Sequence, residues 1–224
     1  MYSVNLAGIT VEEFEKIMLT TQLLPSQKLI LEGISHNTRK LKDKGLTNLQ
    51  EVHDLLRKKQ NYPAISKDMG IDGDYLVILN RMVNSYIAKV LPLGKLGIFT
   101  KEELELLEKE KINNTKQYYE ALLSTGQKEE LSARTCISLS RIGYALHITD
   151  LLRINGVGVD YARILYETGV KGIGDYNRTT SETILRSVNE LNRERAFSKA
   201  TLGISDIDYC RRFCEKLDDE ISYL

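Results

Sequence analysis

The sequence predicts an all-α fold, on three observations: side-chain caps where amphipathic stretches begin, glycine where they end, and apolar residues at helical spacing between. Thr10-x-x-Glu13, Thr47-x-x-Gln50, Thr100-x-x-Glu103 and Thr179-x-x-Glu182 fit the capping box. In that box a hydroxyl and a later carboxylate or amide satisfy the orphan backbone N–H groups of a helix start. Gly45 followed by Leu46, and Gly169 followed by Val170, match a left-handed C-cap; only glycine reaches that geometry cheaply, and the next apolar residue packs back onto the helix. Phe14, Ile17 and Met18, then Leu104, Leu106 and Leu107, then Tyr161, Ile164 and Leu165 recur near the 3.6-residue period, and no stretch alternates as a half-buried strand would.

Self-similarity orders these elements. Gly-Ile-polar, followed by an amphipathic stretch, occurs at Gly8-Ile9-Thr10, Gly70-Ile71-Asp72 and Gly203-Ile204-Ser205, with Cys136-Ile137-Ser138 filling the gap; the four sites lie 62, 66 and 67 residues apart. Between them runs a second element, an apolar residue leading into a glycine turn and a helix. It reads Leu31-Glu32-Gly33-Ile34 up to Gly45-Leu46, Leu96-Gly97-Ile98 up to Lys111-Ile112, and Ile154-Asn155-Gly156-Val157-Gly158 up to Gly169-Val170. The expected organisation is tandem helix-hairpin-helix repeats of about 65 residues: an N-terminal helix as a partial repeat at 1–22, repeat 1 at 23–87, a degenerate repeat 2 at 88–147 and the best-matching repeat 3 at 148–224. With only Pro25, Pro63 and Pro92 and no Ser- or Gly-rich run, no flexible linker is expected, so the repeats should pack as one array. Cys136 stands where the other copies have glycine, so a differently shaped turn is expected there.

Lys plus Arg and Asp plus Glu balance at 31 each, which excludes a chain that attracts polyanions or membranes by its overall charge. Residues Met1 to Ile9 carry no signal-peptide pattern, and no window approaches the roughly 20 apolar residues of a membrane span, so a cytoplasmic location is expected. Cys136, Cys210 and Cys214 are too few for a disulfide framework, and with His36, His53 and His147 they offer no visible metal-ligand set; packing as small apolar side chains is expected. No nucleophile elbow or Walker loop is present, and Gly172-Ile173-Gly174 lacks a preceding strand, so it reads as a connecting turn. Neither enzyme activity, nor a cofactor, nor a small-molecule substrate is expected.

The stretch from Ile154 to Leu165 carries the chemistry. Gly156 and Gly158 are read as letting the chain reverse and leaving N–H groups uncovered, Val157 as plugging into the core, and Ala162 as admitting close helix approach. N–H groups at the start of the second helix make an anion site suited to a phosphate. This stretch resembles the helix-hairpin-helix motif of DNA-repair glycosylases, polymerases and ligases. That resemblance implies backbone contacts to phosphates without sequence reading, and in some members a monovalent cation on the hairpin carbonyls. The wider arrangement looks like an uncharacterised bacterial family of tandem helix-hairpin-helix proteins known by a domain-of-unknown-function label, best matched from Asp150 to Leu217; it implies a fold and no activity.

Two readings of function follow. In the first, a DNA or RNA backbone is bound through Asn155, Gly156, Val157, Gly158, Tyr161, Arg163 and Lys171. Gly33, Ser35, Arg39 and Lys40 of the first hairpin join them, within the basic run Arg39, Lys40, Lys42 and Lys44 and near Arg57, Lys58 and Lys59. In the second, the hairpins are structural only and the chain is a protein-interaction scaffold, which the balanced charge favours. Charges around the third hairpin nearly cancel, Arg163 and Lys171 being offset by Asp160, Glu167 and Asp175. The run Lys101 to Lys111 reads as a solvated helix with Leu104 and Leu107 inwards. His36 reads as a surface histidine within phosphate reach. The tyrosines read mostly as core, Tyr161 and Tyr209 among them, with Tyr118, Tyr119 and Tyr176 less clearly buried and base stacking a minor reading.

Overall fold

A computed structural model describes residues 1–23, 25–196 and 202–221; Leu24, 197–201 and 222–224, which the expected segments 23–87 and 148–224 include, lie outside the described residues. Among the described residues the regular elements are helical, with isolated bridges but no strand. The α-helices are α1 (Val11–Thr20), α2 (Ile34–Asp43), α3 (Leu49–Leu56), α4 (Tyr62–Met69), α5 (Gly73–Asn84), α6 (Lys101–Lys109), α7 (Thr115–Glu120), α8 (Gln127–Thr135), α9 (Leu139–Leu151), α10 (Val159–Glu167), α11 (Ile173–Arg178), α12 (Ser181–Arg195) and α13 (Ile204–Cys214). Short 3₁₀ turns precede α1, α2, α4 and α6. No helix among these residues is long and apolar enough to cross a membrane.

Two compact units divide the chain: Asn5–Ile87, and Met1–Val4 together with Ala88–Leu224. In the Asn5–Ile87 unit α1 packs on α2 and α3 on α5. Phe14, Met18, Ile30, Leu49, Val52, Leu56, Leu76 and Val83 close the core. In the other unit α9 packs against α7, α8 and α10, and α13 against α11 and α12.

Local chemistry explains where helices stop. After α2, α6 and α10 the chain enters the left-handed region at Gly45, Lys111 and Gly169 (φ 80°, 63° and 92°). The next apolar N–H then bonds back across the last turn, Leu46 to the Leu41 carbonyl, Ile112 to Leu107 and Val170 to Leu165, at 3.0, 2.9 and 2.9 Å. This bond satisfies a carbonyl orphaned at the helix end and packs the apolar residue beneath it. Helix starts follow the same logic. Thr100 and Glu103 form the complete capping box expected of them, and the Thr10 hydroxyl accepts from the Glu13 N–H. The other two caps lie one residue later than the sequence suggests: Asn48 caps α3 with Glu51, and Thr180 caps α12. At the first, Asn is at least as good a cap as Thr, and Thr47 stays useful by donating its hydroxyl to Glu51 at 3.1 Å.

The Gly-Ile-polar signature marks one geometry at three of its four sites. Ile9, Ile71 and Ile137 are each about 2% exposed or less, and Thr10, Asp72 and Ser138 beside them cap α1, α5 and α9. Cys136 does not reshape its turn, contrary to expectation; it sits at φ 56° and ψ 15°, close to Gly70 at 62° and 29°. A side chain is therefore held where glycine is cheaper. The fourth site departs. Gly203 is itself the cap position of α13, and Ile204 is exposed, because α12 has already ended at Ala196.

The deepest polar feature is at the end of α9. Arg153 and Asp150, with side chains 0% and 1% exposed, form an ion pair at 2.5 Å. The guanidinium also donates to the carbonyls of Tyr2, Met1 and Asp218 at 3.0, 3.0 and 2.9 Å and lies 4.4 Å from the centre of the Tyr119 ring. The other Asp150 oxygen accepts from the Ile173 N–H at 2.9 Å.

Cys136→Gly is expected to raise the unfolding free energy by about 1 kcal/mol, read from the urea midpoint, because it releases a left-handed L-residue. Asp150→Ala lowers it by about 3–5 kcal/mol, since Arg153 keeps a buried charge without its counter-ion; an unchanged midpoint would refute the structural role given to the pair.

Candidate functional site

Residues Leu152 to Gly158 join α9 to α10, so the chain turns between two helices where the sequence places its best motif. Val157 is buried and donates its N–H to the Ile154 carbonyl at 3.1 Å, as a plug would. Ala162 is fully buried at the approach of α10 to its neighbours. Asn155 donates through Nδ2 to the Tyr209 hydroxyl at 3.1 Å, tying the turn to α13. Its side chain is thereby committed inside the protein.

The two glycines differ. Gly156 has φ 98°, and a Cβ there would stand 2.8 Å from Cys210 Sγ and 3.2 Å from the Tyr209 ring. Both the backbone and the packing demand glycine. Gly158, at φ −96° and ψ 174°, is ordinary extended backbone, and a Cβ there would meet nothing within 4 Å. The expectation that both glycines serve chain reversal holds for Gly156 alone.

Beyond Gly158 the helix start is uncapped. No side chain caps α10, and among the described residues the N–H groups of Gly158, Val159, Asp160 and Tyr161 find no acceptor. Such groups carry the positive end of the helix dipole. Tyr161 is half-buried, and burial pushes its hydroxyl well above the usual range.

The cations expected at this site are partly committed. Arg163 Nη2 donates to the Leu96 carbonyl at 2.5 Å and reaches that of Gly97 at 3.5 Å. Lys171 is exposed, with Nζ 5.7 Å from the Tyr166 ring centre, and its carbonyl lies 2.9 Å from His147 Nδ1. Desolvation holds His147 below its ordinary pKa.

The other two turns differ from the third. At Gly97 (φ 60°) the carbonyls hold Arg163, and the following helix start is closed by the Thr100–Glu103 box. At Gly33 (φ 72°) no side chain caps α2, but Ser35 donates its hydroxyl to the Glu15 carboxylate, which puts negative charge beside the turn. The basic run on α2 is largely paired within its unit. Lys40 donates to the Gly70 carbonyl, Lys42 pairs with Glu12, and Lys44 with Asp68 at 2.7 Å, while Arg39 is exposed. His36, Arg57, Lys58 and Lys59 are also exposed.

Several residues lie elsewhere than the sequence suggests. Tyr118, Tyr119 and Tyr176 are fully buried, whereas Tyr161 and Tyr209 are only half-buried or exposed at the surface; the former three cannot serve base stacking. Gly172 caps α11, and Ile173 and Gly174 open that helix instead of forming a connecting turn, because the Ile173 N–H is anchored on Asp150. Cys210 and Cys214 are buried, the Cys210 thiol being pushed up to about 12 by desolvation, but Cys136 is exposed. No metal-binding group of His, Cys, Asp and Glu occurs among the described residues. Reasoning from sequence missed Arg153; its only local signal is an Asp-x-x-Arg spacing at a helix end, which ordinarily reads as a solvated pair.

The fold and site together define an all-helical protein with an open, glycine-flanked helix start. The chain belongs to the family described as a domain of unknown function, DUF4332, whose sequence profile matches residues 96–216. No curated protein and no solved structure matches it.

The unequal glycines give a direct check. Gly156→Ala costs about 1–3 kcal/mol in urea unfolding through strain and overlap, and Gly158→Ala costs under about 1 kcal/mol, the usual loss at a cap position. Equal effects would contradict the distinction.

Proposed function

We propose that this chain is a non-enzymatic module of tandem helix-hairpin-helix units that binds a nucleic-acid backbone without reading sequence, chiefly through the amides of the third hairpin. The observation that carries this reading is Gly158. Neither its backbone angles nor its neighbours require glycine, so the remaining effect of a missing side chain is to clear the approach to four free N–H groups. Phosphate is a chemically apt occupant, being anionic and able to accept several bonds at once. The exposed cations Lys171, Arg39, Arg57, Lys58 and Lys59 supply further phosphate partners.

A scaffold for a protein partner is the second reading. It is favoured by the internal pairing of Lys40, Lys42 and Lys44 and by the exposure of Leu19, Leu29 and Leu31 in the Asn5–Ile87 unit. Such side chains suit an apolar contact.

Fluorescence anisotropy with a labelled blunt duplex at two or more salt concentrations separates the two. Backbone binding gives a log–log slope of about −0.9 per phosphate contacted. Absence of binding at low salt, or a salt-independent affinity, refutes it, and a stoichiometric protein recovered in its place supports the scaffold.

A further inference from the structure

Beside the third turn lies a cleft of about 270 Å³ between α10 and α12, with Gly158 and Asp160 at its rim. Its walls are mainly apolar, from Ile164, Val188 and Leu202, with the half-buried ring of Tyr161 along one side and the side-chain amides of Asn189 and Asn192 at the edge. Asn189 donates through Nδ2 to the Leu202 carbonyl at 3.2 Å, which fixes its amide and leaves its oxygen as an acceptor. Apolar walls with a few oriented polar groups are the usual make-up of a site for a small ring system, and this volume lies just below the roughly 300–1,000 Å³ of sites for drug-sized molecules.

We infer that the cleft takes a single unpaired nucleobase at the end of a strand while the adjoining phosphate meets the amides of Gly158 to Tyr161. The inference rests on the nucleic-acid reading above and narrows it from duplex backbone to a strand end or overhang. A stacked and paired base cannot enter a cleft between two helices, but an unpaired one exposes its face to an aromatic or apolar wall and its edge to amides. The cleft and the free N–H groups share the Gly158–Tyr161 segment, so base and phosphate of one nucleotide are served by adjacent parts of one surface. Asp160 stands in the first turn of α10 and opposes the phosphate; Asp160→Asn therefore tightens binding.

The test compares three probes by anisotropy at one low salt concentration: a blunt duplex, the same duplex with a one-nucleotide overhang, and that overhang made abasic. The overhang with a base is expected to bind about tenfold more tightly than the blunt end, and the abasic one to fall back to the blunt value. Asn192→Leu, a change of similar volume at a half-buried position, should lower the overhang preference and leave the blunt duplex unaffected, with circular dichroism confirming the fold. If that variant unfolds, the abasic comparison on the wild-type chain still decides whether a base is bound. Equal affinity for blunt and overhanging ends overturns the base site and leaves backbone binding standing. An unaltered preference in a folded Asn192→Leu protein overturns the location, and no binding of any probe overturns both inference and parent reading.

Discussion

The buried pair of Arg153 and Asp150 is the constraint on which the larger unit depends. Removing two charges from water costs several kcal/mol for each, and their attraction offsets this only when the remaining donors and acceptors are filled. Here they are filled by three carbonyls, one backbone N–H and the face of Tyr119. A lysine could not substitute, because the planar fork of a guanidinium is what reaches Asp150, Tyr2, Met1 and Asp218 at once. Since Arg153 directly precedes the Ile154–Gly158 turn and Asp150 anchors the start of α11, the turn is held between fixed supports, and an open amide array needs such support to keep its shape.

Helix ends were legible in the sequence because their causes are local. Gly45 and Gly169 can be recognised as left-handed caps from one residue and its apolar successor, and Thr100 with Glu103 from a four-residue pattern. Register within a residue was not legible at the α3 start, where Thr47 and Asn48 are both competent and the choice depends on which places Glu51 at the third helical position. The burial of Tyr118, Tyr119 and Tyr176 was illegible for a different reason: it is set by packing against elements distant in sequence, such as the Ile142 carbonyl that accepts from Tyr118 and the Ile207 carbonyl that accepts from Tyr176. Arg153 is the extreme case, with partners at opposite ends of the chain.

The candidate site was half legible. The Gly-x-Gly spacing locates the turn, yet identical letters at 156 and 158 conceal unlike roles that only backbone angles and neighbours reveal. The basic run on α2 was visible as charge, while its pairing with Glu12 and Asp68 was not. Exposed pairs of this kind contribute at most about 1 kcal/mol, so a polyanion can exchange for the carboxylates at small cost. Arg163 is committed differently, because its donors meet backbone carbonyls that would lose a partner if it left.

Comparison of the three turns carries the argument one step further. All three place a glycine at positive φ before a helix, so the conformation is a matter of folding and cannot by itself imply binding. What varies is the treatment of the helix start that follows. A capping box closes it after Gly97, a carboxylate stands beside it after Gly33, and after Gly156 it is left open with a side-chain-free residue in front. Leaving orphan N–H groups unmet forgoes roughly 0.5–2 kcal/mol of capping energy. Thr100 shows that a cap is attainable in this chain, so the open start at Gly158 is a concession in stability of the sort that binding surfaces make.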